Sequence, residues 1–245
     1  MNCIDVMFLS HSKTEKLYSM TKGAIRSLID NNTDYNFNIC VIQTCNNKFG
    51  DKHYFDDESI QVIHPNKKFH YNNFLRLGYK TMKHTSDYIM TCNDDIYFHK
   101  NSINELMKGF PKYTICSPKN PDSKFDGDLQ SKYKTGFIEG YNTSEHLSGF
   151  CHIVNKDIFN KIPIDIFWHK KFGGYFQDDW IAFLVKVNKI PICLCADSLV
   201  DHFERLSWPN NYFSMRQKPI LDLMKIWYYF YRLKKFFRVS SGSNS

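Results

Sequence analysis

The chain has 245 residues, of which 42% are hydrophobic, 16% aromatic and 23% charged. This composition fits one packed domain and excludes a disordered chain, a collagen-like repeat and a coiled coil. Lys and Arg number 32 against 25 Asp and Glu, a formal charge of +7, which favours anionic ligands without demanding them.

No apolar run approaches the ~20 residues of a membrane span. Met1 to Ser10 has no basic start and carries Asp5 within its apolar stretch, so it does not read as a signal peptide. The expectation is a cytoplasmic protein. The basic residues are 26 Lys and 6 Arg, and there are 21 Asn; together with Ile, Tyr and Phe these codons suggest an AT-rich genome, viral or phage, and hence a host-cytoplasm setting. The eight cysteines contain no C-x-x-C pair and read as buried free thiols in a reducing compartment.

The first half alternates strand and helix. Asp5–Ser10 is a short apolar strand. Thr14 caps a helix over Glu15–Asp30 with Leu17, Met20, Ala24, Ile25 and Leu28 on one stripe. Phe37–Gln43 and Ile60–Ile63 read as strands. Tyr71–Lys83 is helical, with Phe74, Leu77 and Met82 inward, and Asp87–Cys92 is a fourth strand. This rhythm predicts an α/β fold with a mostly parallel central sheet flanked by helices. Ser117–Gly149 is polar and reads as a long functional loop. Gly149–Asn155 is a strand, Lys156–Lys161 a short helix, Gln177–Asn188 a helix, and Ile190–Leu194 and Leu199–Phe203 two further strands. The expected domains are 1–215 and a C-terminal helix, 216–239, rich in aromatic and basic residues, with 240–245 a disordered end. Lys218, Lys225 and Arg232 recur every seven residues on that helix.

Three motifs carry chemistry. Asn93-Asp94-Asp95 follows an apolar strand, where ligands bind in open α/β sheets. Adjacent carboxylates repel unless a cation lies near them, and Mg²⁺ or Mn²⁺ suits them; the same residues also suit a helix-capping turn. Gly173 to Trp180 (GGYFQDDW) delivers Asp178 and Asp179 at a helix start. One of them would be a general base, kept ionised by the helix dipole, or else an ordinary N-cap. His202, in Asp201-His202-Phe203, would complete a metal site or serve the core.

In order, these motifs resemble the GT-A fold glycosyltransferases, in particular the inverting family 2-like enzymes. The resemblance runs over roughly residues 4–205, through DVMFLSHSKTEKLYSMTKGAIRSL, YNNFLRLGYKTMKHTSDYIMTCNDDIYFHKNSI, SGFCHIVNKDIF and GGYFQDDWIAFLVKVNKIPICLCADSLVDHF. It implies that Asp95 and His202 hold Mn²⁺ or Mg²⁺ and that Asp94 contacts the donor ribose or the metal. It implies Asp178, or Asp179, as the base. Ser10, Gln43, Asn73 and Arg76 would lie near a nucleotide-sugar donor, UDP by family frequency. The D-x-D motif here reads Asn-Asp-Asp, Gln177 stands where the family has Glu, and no Q-x-x-R-W motif is present. That last absence argues against a processive synthase.

The acceptor is less legible. A phage transferase acting on a hydroxymethylated DNA base would use Lys67-Lys68, Lys132, Lys134, Lys170-Lys171, Lys234-Lys235 and Arg238 on phosphates. A surface glycan, glycolipid or protein is the alternative. Then the C-terminal helix would lie at a membrane interface. A non-catalytic nucleic-acid- or sugar-binding module is the rival class, and oligomeric state is not encoded in any motif.

Overall fold

The computed structural model describes residues 2–44, 60–65, 67–121, 130, 132–143, 145–171, 177–203 and 218–241. The chain forms two compact units, Met1–Asn210 and Asn211–Ser245. The expected boundary at 215–216 lies outside the described residues.

The first unit opens with β1 (Asn2–Ser10), α1 (Glu15–Asn31), β2 (Tyr35–Gln43), β3 (Gln61–Ile63), α2 (Tyr71–Thr81) and β4 (Tyr88–Asn93). Ile4, Val6, Met7, Phe8 and Leu9 of β1 are all buried, as a central strand covered on both faces requires. Thr14 Oγ1 accepts from Leu17 N at 3.3 Å and starts α1, a cap whose loss costs about 1 kcal/mol. Ala24, Ile25 and Leu28 form its buried stripe, joined by Thr21 and Ser27. On α2 the buried set is Asn72, Phe74, Leu75 and Gly78; Leu75 is buried, whereas the expected Leu77 is only half-buried. Gly78 lets α2 close onto the sheet, since a Cβ there would overlap Ile42 Cδ1 and meet Met7 Sδ at 3.0 Å.

The sheet runs β3-β2-β1-β4 and on through β8 (Cys151–Asn155), β6 (Ile115–Lys119), β9 (Ile192–His202) and β5 (Ile96–Phe98), with β7 (Phe137–Glu139) paired to β9. Strands β1 to β4 are parallel. Beyond β4 the sheet is mixed. Strand β8 (Cys151–Asn155) runs antiparallel to β4, with Cys92 opposite Cys151. It therefore starts at the end where β4 finishes, which brings Gly149 and Phe150 beside Asn93. Short elements not expected from the sequence fill the interval: β5 (Ile96–Phe98), α3 (Ser102–Met107), β6 (Ile115–Lys119) and β7 (Phe137–Glu139). The last two occupy part of the stretch read as a loop.

The helices α4 (Ile158–Lys161), α5 (Ile164–Phe167) and α6 (Gln177–Val187) follow, and then β9 (Ile192–His202). The two strands expected at the end are one. Its register on β6 shifts between Pro118 and Lys119, and Ala196 N donates to Gly136 O while Gly136 N donates to Asp197. The polar Ala196-Asp197-Ser198 is thus an irregularity after which β9 leaves β7, pairs once more with β6 at Leu199 and continues along β5.

Seven cysteines are free and six of these are buried; Cys45 lies outside the described residues. In the second unit, α7 spans Lys218–Ser241, so Ser240 and Ser241 are helical. Among the described residues no helix is long and apolar enough to cross a membrane.

Candidate active site

The parallel strands β1, β2 and β4 finish at one edge, where their carboxyl ends place His11, Thr44 and the acidic pair. Asp94 and Asp95 are both buried. Asp94 Oδ2 accepts from the His11 backbone N at 2.6 Å. Burial, then the Asp95 charge, push the Asp94 carboxyl up to about 7 despite that bond. A small pocket opens here, lined by Leu9, His11, Thr44, Phe69, Tyr71, Asn93 and Asp94. His11 Nδ1 and Thr44 Oγ1 meet at 2.8 Å, and Thr44 Oγ1 also donates to Ser10 O. Burial and Lys13 lower the His11 pKa, so its ring is neutral at pH 7.

His202 reaches the acids through the β5–β9 ladder, in which it lies opposite Ile96. Phe203 N donates to Asp95 O at 2.9 Å and locks that register. His202 Nε2 stands 3.3 Å from Asp95 Oδ1. The Phe150 ring stacks on the imidazole, 4.8 Å between centroids and 17° between planes, and Asn93 Nδ2 lies 3.4 Å from Nε2. Among the described residues none donates a hydrogen bond to the buried Asp95 Oδ1. A hard divalent cation suits such an oxygen facing an imidazole nitrogen. Among the described residues no group of three or more His, Cys, Asp or Glu side chains converges on one metal position.

The second acidic pair opens α6. The Asp178 carboxylate lies against Gly149, where an added Cβ would overlap Oδ2. Burial, then the Asp179 charge, push Asp178 up to about 7. The expectation that the helix dipole would hold it low is overturned: desolvation and a like charge outweigh the dipole. Asp179 Oδ1 accepts from Thr143 Oγ1 at 3.0 Å and is committed to that loop. Tyr71 links the two acidic centres. Its hydroxyl donates to Gly149 O at 3.4 Å, and burial, with the Asp178 and Asp95 charges among its causes, raises its pKa well above the ordinary value.

No protein-family model matches this chain, and no curated protein matches it in sequence. Solved structures do. GalNAc-T7 in complex with UDP, GalNAc and Mn²⁺ aligns over 94% of this chain and 50% of its own, with a TM-score of 0.67 and 12% identity. Residues 1–349 of TarS from S. aureus align over 82% of this chain and 59% of theirs, with a TM-score of 0.56 and 12% identity. The chain has a GT-A fold. It spans about half the length of the first of these structures.

Within the GT-A fold the expected residues separate into two groups. Asp94, Asp95, His202 and Asp178 gather at the carboxyl edge, with Asp179 one step away. Ser10, Gln43, Asn73 and Arg76 do not present side chains there in the same way. Ser10 is buried in a hydroxyl cluster, 2.7 Å from Ser12 Oγ and 2.9 Å from Thr21 Oγ1. Gln43 is buried opposite Ser10 in the β1–β2 ladder. Asn73 is exposed. Arg76 pairs with Asp165 of α5 at 2.5 Å. Gln177 is buried and neither amide atom is hydrogen-bonded among the described residues. Residues 173–176 lie outside the described residues. His11, Thr44, Tyr71, Gly149 and Phe150 were not singled out by the sequence. His11 and Thr44 carried one usable signal, since each is the first or second residue past a parallel strand.

Proposed function

We propose that the chain is a metal-dependent glycosyltransferase that moves a sugar from a nucleotide-sugar donor to an acceptor hydroxyl with inversion. The observation that carries this reading is the pairing of Asp95 and His202 at the sheet's carboxyl edge, with the raised Asp178 beyond Tyr71. Asp95 and His202 would hold Mn²⁺ or Mg²⁺, which supplies neutralisation of a departing diphosphate. UDP is the proposed nucleotide, supported by the ligands of GalNAc-T7.

The chain's own residues account for the remaining chemistry. The pocket between His11, Thr44 and Phe69 binds the nucleotide and excludes water from its base. The ionised Asp178 Oδ takes the acceptor hydroxyl proton as that oxygen bonds to the anomeric carbon and the bond to the diphosphate breaks. A positioned base of this kind contributes about 10²–10⁴ in rate. Thr143 anchors Asp179, so the two carboxylates are held in different settings.

The test is thermal unfolding with UDP, GDP, CDP and TDP, with and without Mn²⁺. Ligand at about 100 times Kd stabilises a fold by about 2.7 kcal/mol. One nucleotide should shift the melting point in a metal-dependent manner, and Asp95→Ala should remove the shift. The donor so identified is then offered with hydroxymethylated DNA and with glycans. No shift with any nucleotide would move the reading to a binding module.

A further inference from the structure

Tyr71 belongs to both halves of the site. It opens α2 and lines the pocket beside Phe69 and His11. Its hydroxyl meets the carbonyl of Gly149, the residue against which the Asp178 carboxylate lies. The Asp178 and Asp95 charges both act on the phenol. It therefore stands within reach of the proposed base and of a proposed metal ligand.

The fold makes little use of this hydroxyl. An O–H···O bond is ordinarily about 2.7–2.8 Å long, whereas the bond to Gly149 O is 3.4 Å. It is the hydroxyl's one hydrogen bond among the described residues. Burial, then the Asp178 charge, hold the proton on the phenol oxygen, so the group is a donor. A half-buried donor on a stretched bond gains by turning to a better acceptor.

The reaction fixes what passes this point. In the transfer proposed above, the anomeric carbon is bonded to a diphosphate oxygen on the Asp95 side. It receives the acceptor oxygen on the Asp178 side. The sugar between them occupies the interval at which the phenol stands, and its hydroxyl oxygens are neutral acceptors suited to a phenol.

We propose that Tyr71 is a donor-specificity residue, whose hydroxyl donates to one hydroxyl oxygen of the transferred sugar and so selects sugars that carry an oxygen there. This rests on the nucleotide-sugar transferase reading and names a part of its substrate recognition.

The experiment is titration calorimetry of the full chain with Mn²⁺, native and Tyr71→Phe. The probes are UDP, GDP, CDP and TDP and their glucose and galactose conjugates. Tyr71→Phe deletes one oxygen and one long bond, so the melting point of the ligand-free chain should not change. Affinity for the bare diphosphate should not change either. The tighter sugar conjugate should weaken about fivefold, as expected for one neutral hydrogen bond. Conjugates lacking one sugar hydroxyl at a time complete a double-mutant cycle: one deoxy position should cost the native chain about fivefold and Tyr71→Phe nothing. Equal weakening of diphosphate and sugar conjugate would make Tyr71 a phosphate ligand or a support of the fold, and overturns the proposal. So does a cycle in which every deoxy position costs both proteins the same. If the native chain binds none of the diphosphates, the transferase reading itself fails and the proposal with it.

Discussion

Gly149 and Asp178 touch: the carboxylate occupies the space that a side chain at Gly149 would need. Gly149 precedes β8 and Asp178 opens α6, so the antiparallel turn-back of β8 is what seats the acid of one element against the backbone of another. A methyl at position 149 must push Asp178 aside. Gly149→Ala should therefore lower kcat about 10²-fold, the cost of misplacing a reacting group by about an ångström. It should leave the nucleotide-dependent thermal shift intact, because the donor pocket is lined by other residues. Loss of the shift together with kcat would show that the contact serves the whole fold rather than the acid.

The raised Asp178 predicts a pH profile. The base works only when ionised, and burial with the Asp179 charge brings its pKa to about 7. Activity should thus be full above that value and fall about tenfold per pH unit below it. Asp179→Asn removes the like charge and should move the limb to lower pH. Asp178→Asn should cost about 10²–10⁴ in kcat. A profile unchanged in Asp179→Asn would assign the limb to another group.

Gly78 supports a stability prediction. A Cβ there would overlap Ile42 and crowd Met7, across the interface of α2 with β1 and β2. Alanine is the better helix former by about 1 kcal/mol, but overpacking a closed interface costs about 1–3 kcal/mol. Gly78→Ala should lower the denaturant midpoint. A raised midpoint would mean the sheet gives way without strain.

The parallel half of the sheet was legible because β1, β2 and β4 are long apolar runs separated by a capped, periodic helix. The acids could be read for the same reason, since they sit directly after such a run. What the sequence hid was short or non-local. Elements β5, β6 and β7 have three to five residues each, too few for a period to show. The single strand β9 looked like two because Ala196-Asp197-Ser198 is polar at the irregularity. Tyr71 looked like an ordinary helix residue; its place between Asp95 and Asp178 depends on β8 returning antiparallel, which no local pattern encodes. Arg76 was expected near the nucleotide-sugar donor, and its partner Asp165 lies far along the chain on a four-residue helix.

His152 predicts how stability depends on pH. It is fully buried in β8, with Nδ1 3.1 Å from Ser148 O and Nε2 3.2 Å from Thr91 Oγ1. Nδ1–H donates to the carbonyl and Nε2 accepts from the hydroxyl, a neutral ring with both nitrogens satisfied. Burial lowers its pKa from 6.5 to about 4. A folded pKa below the unfolded one means that the unfolded chain takes the proton first. The contribution is therefore complete above about pH 6.5 and is lost as the pH falls toward 4, to a total of about 3 kcal/mol. Asp5 adds its own loss further down: burial raises its pKa, but bonds from Asn38, His84, Thr85 and Lys156 outweigh that and leave it lowered, so it matters only below the ordinary carboxylate value. Asp94 and Asp178, raised to about 7 in the fold, take protons before the unfolded chain does and oppose this loss over the same window. The comparison that isolates His152 is therefore the difference in denaturant midpoint between the native chain and His152→Gln, which removes the titrating ring: the native chain's advantage should be largest near pH 7 and shrink toward pH 4, and a constant difference would place the titration elsewhere.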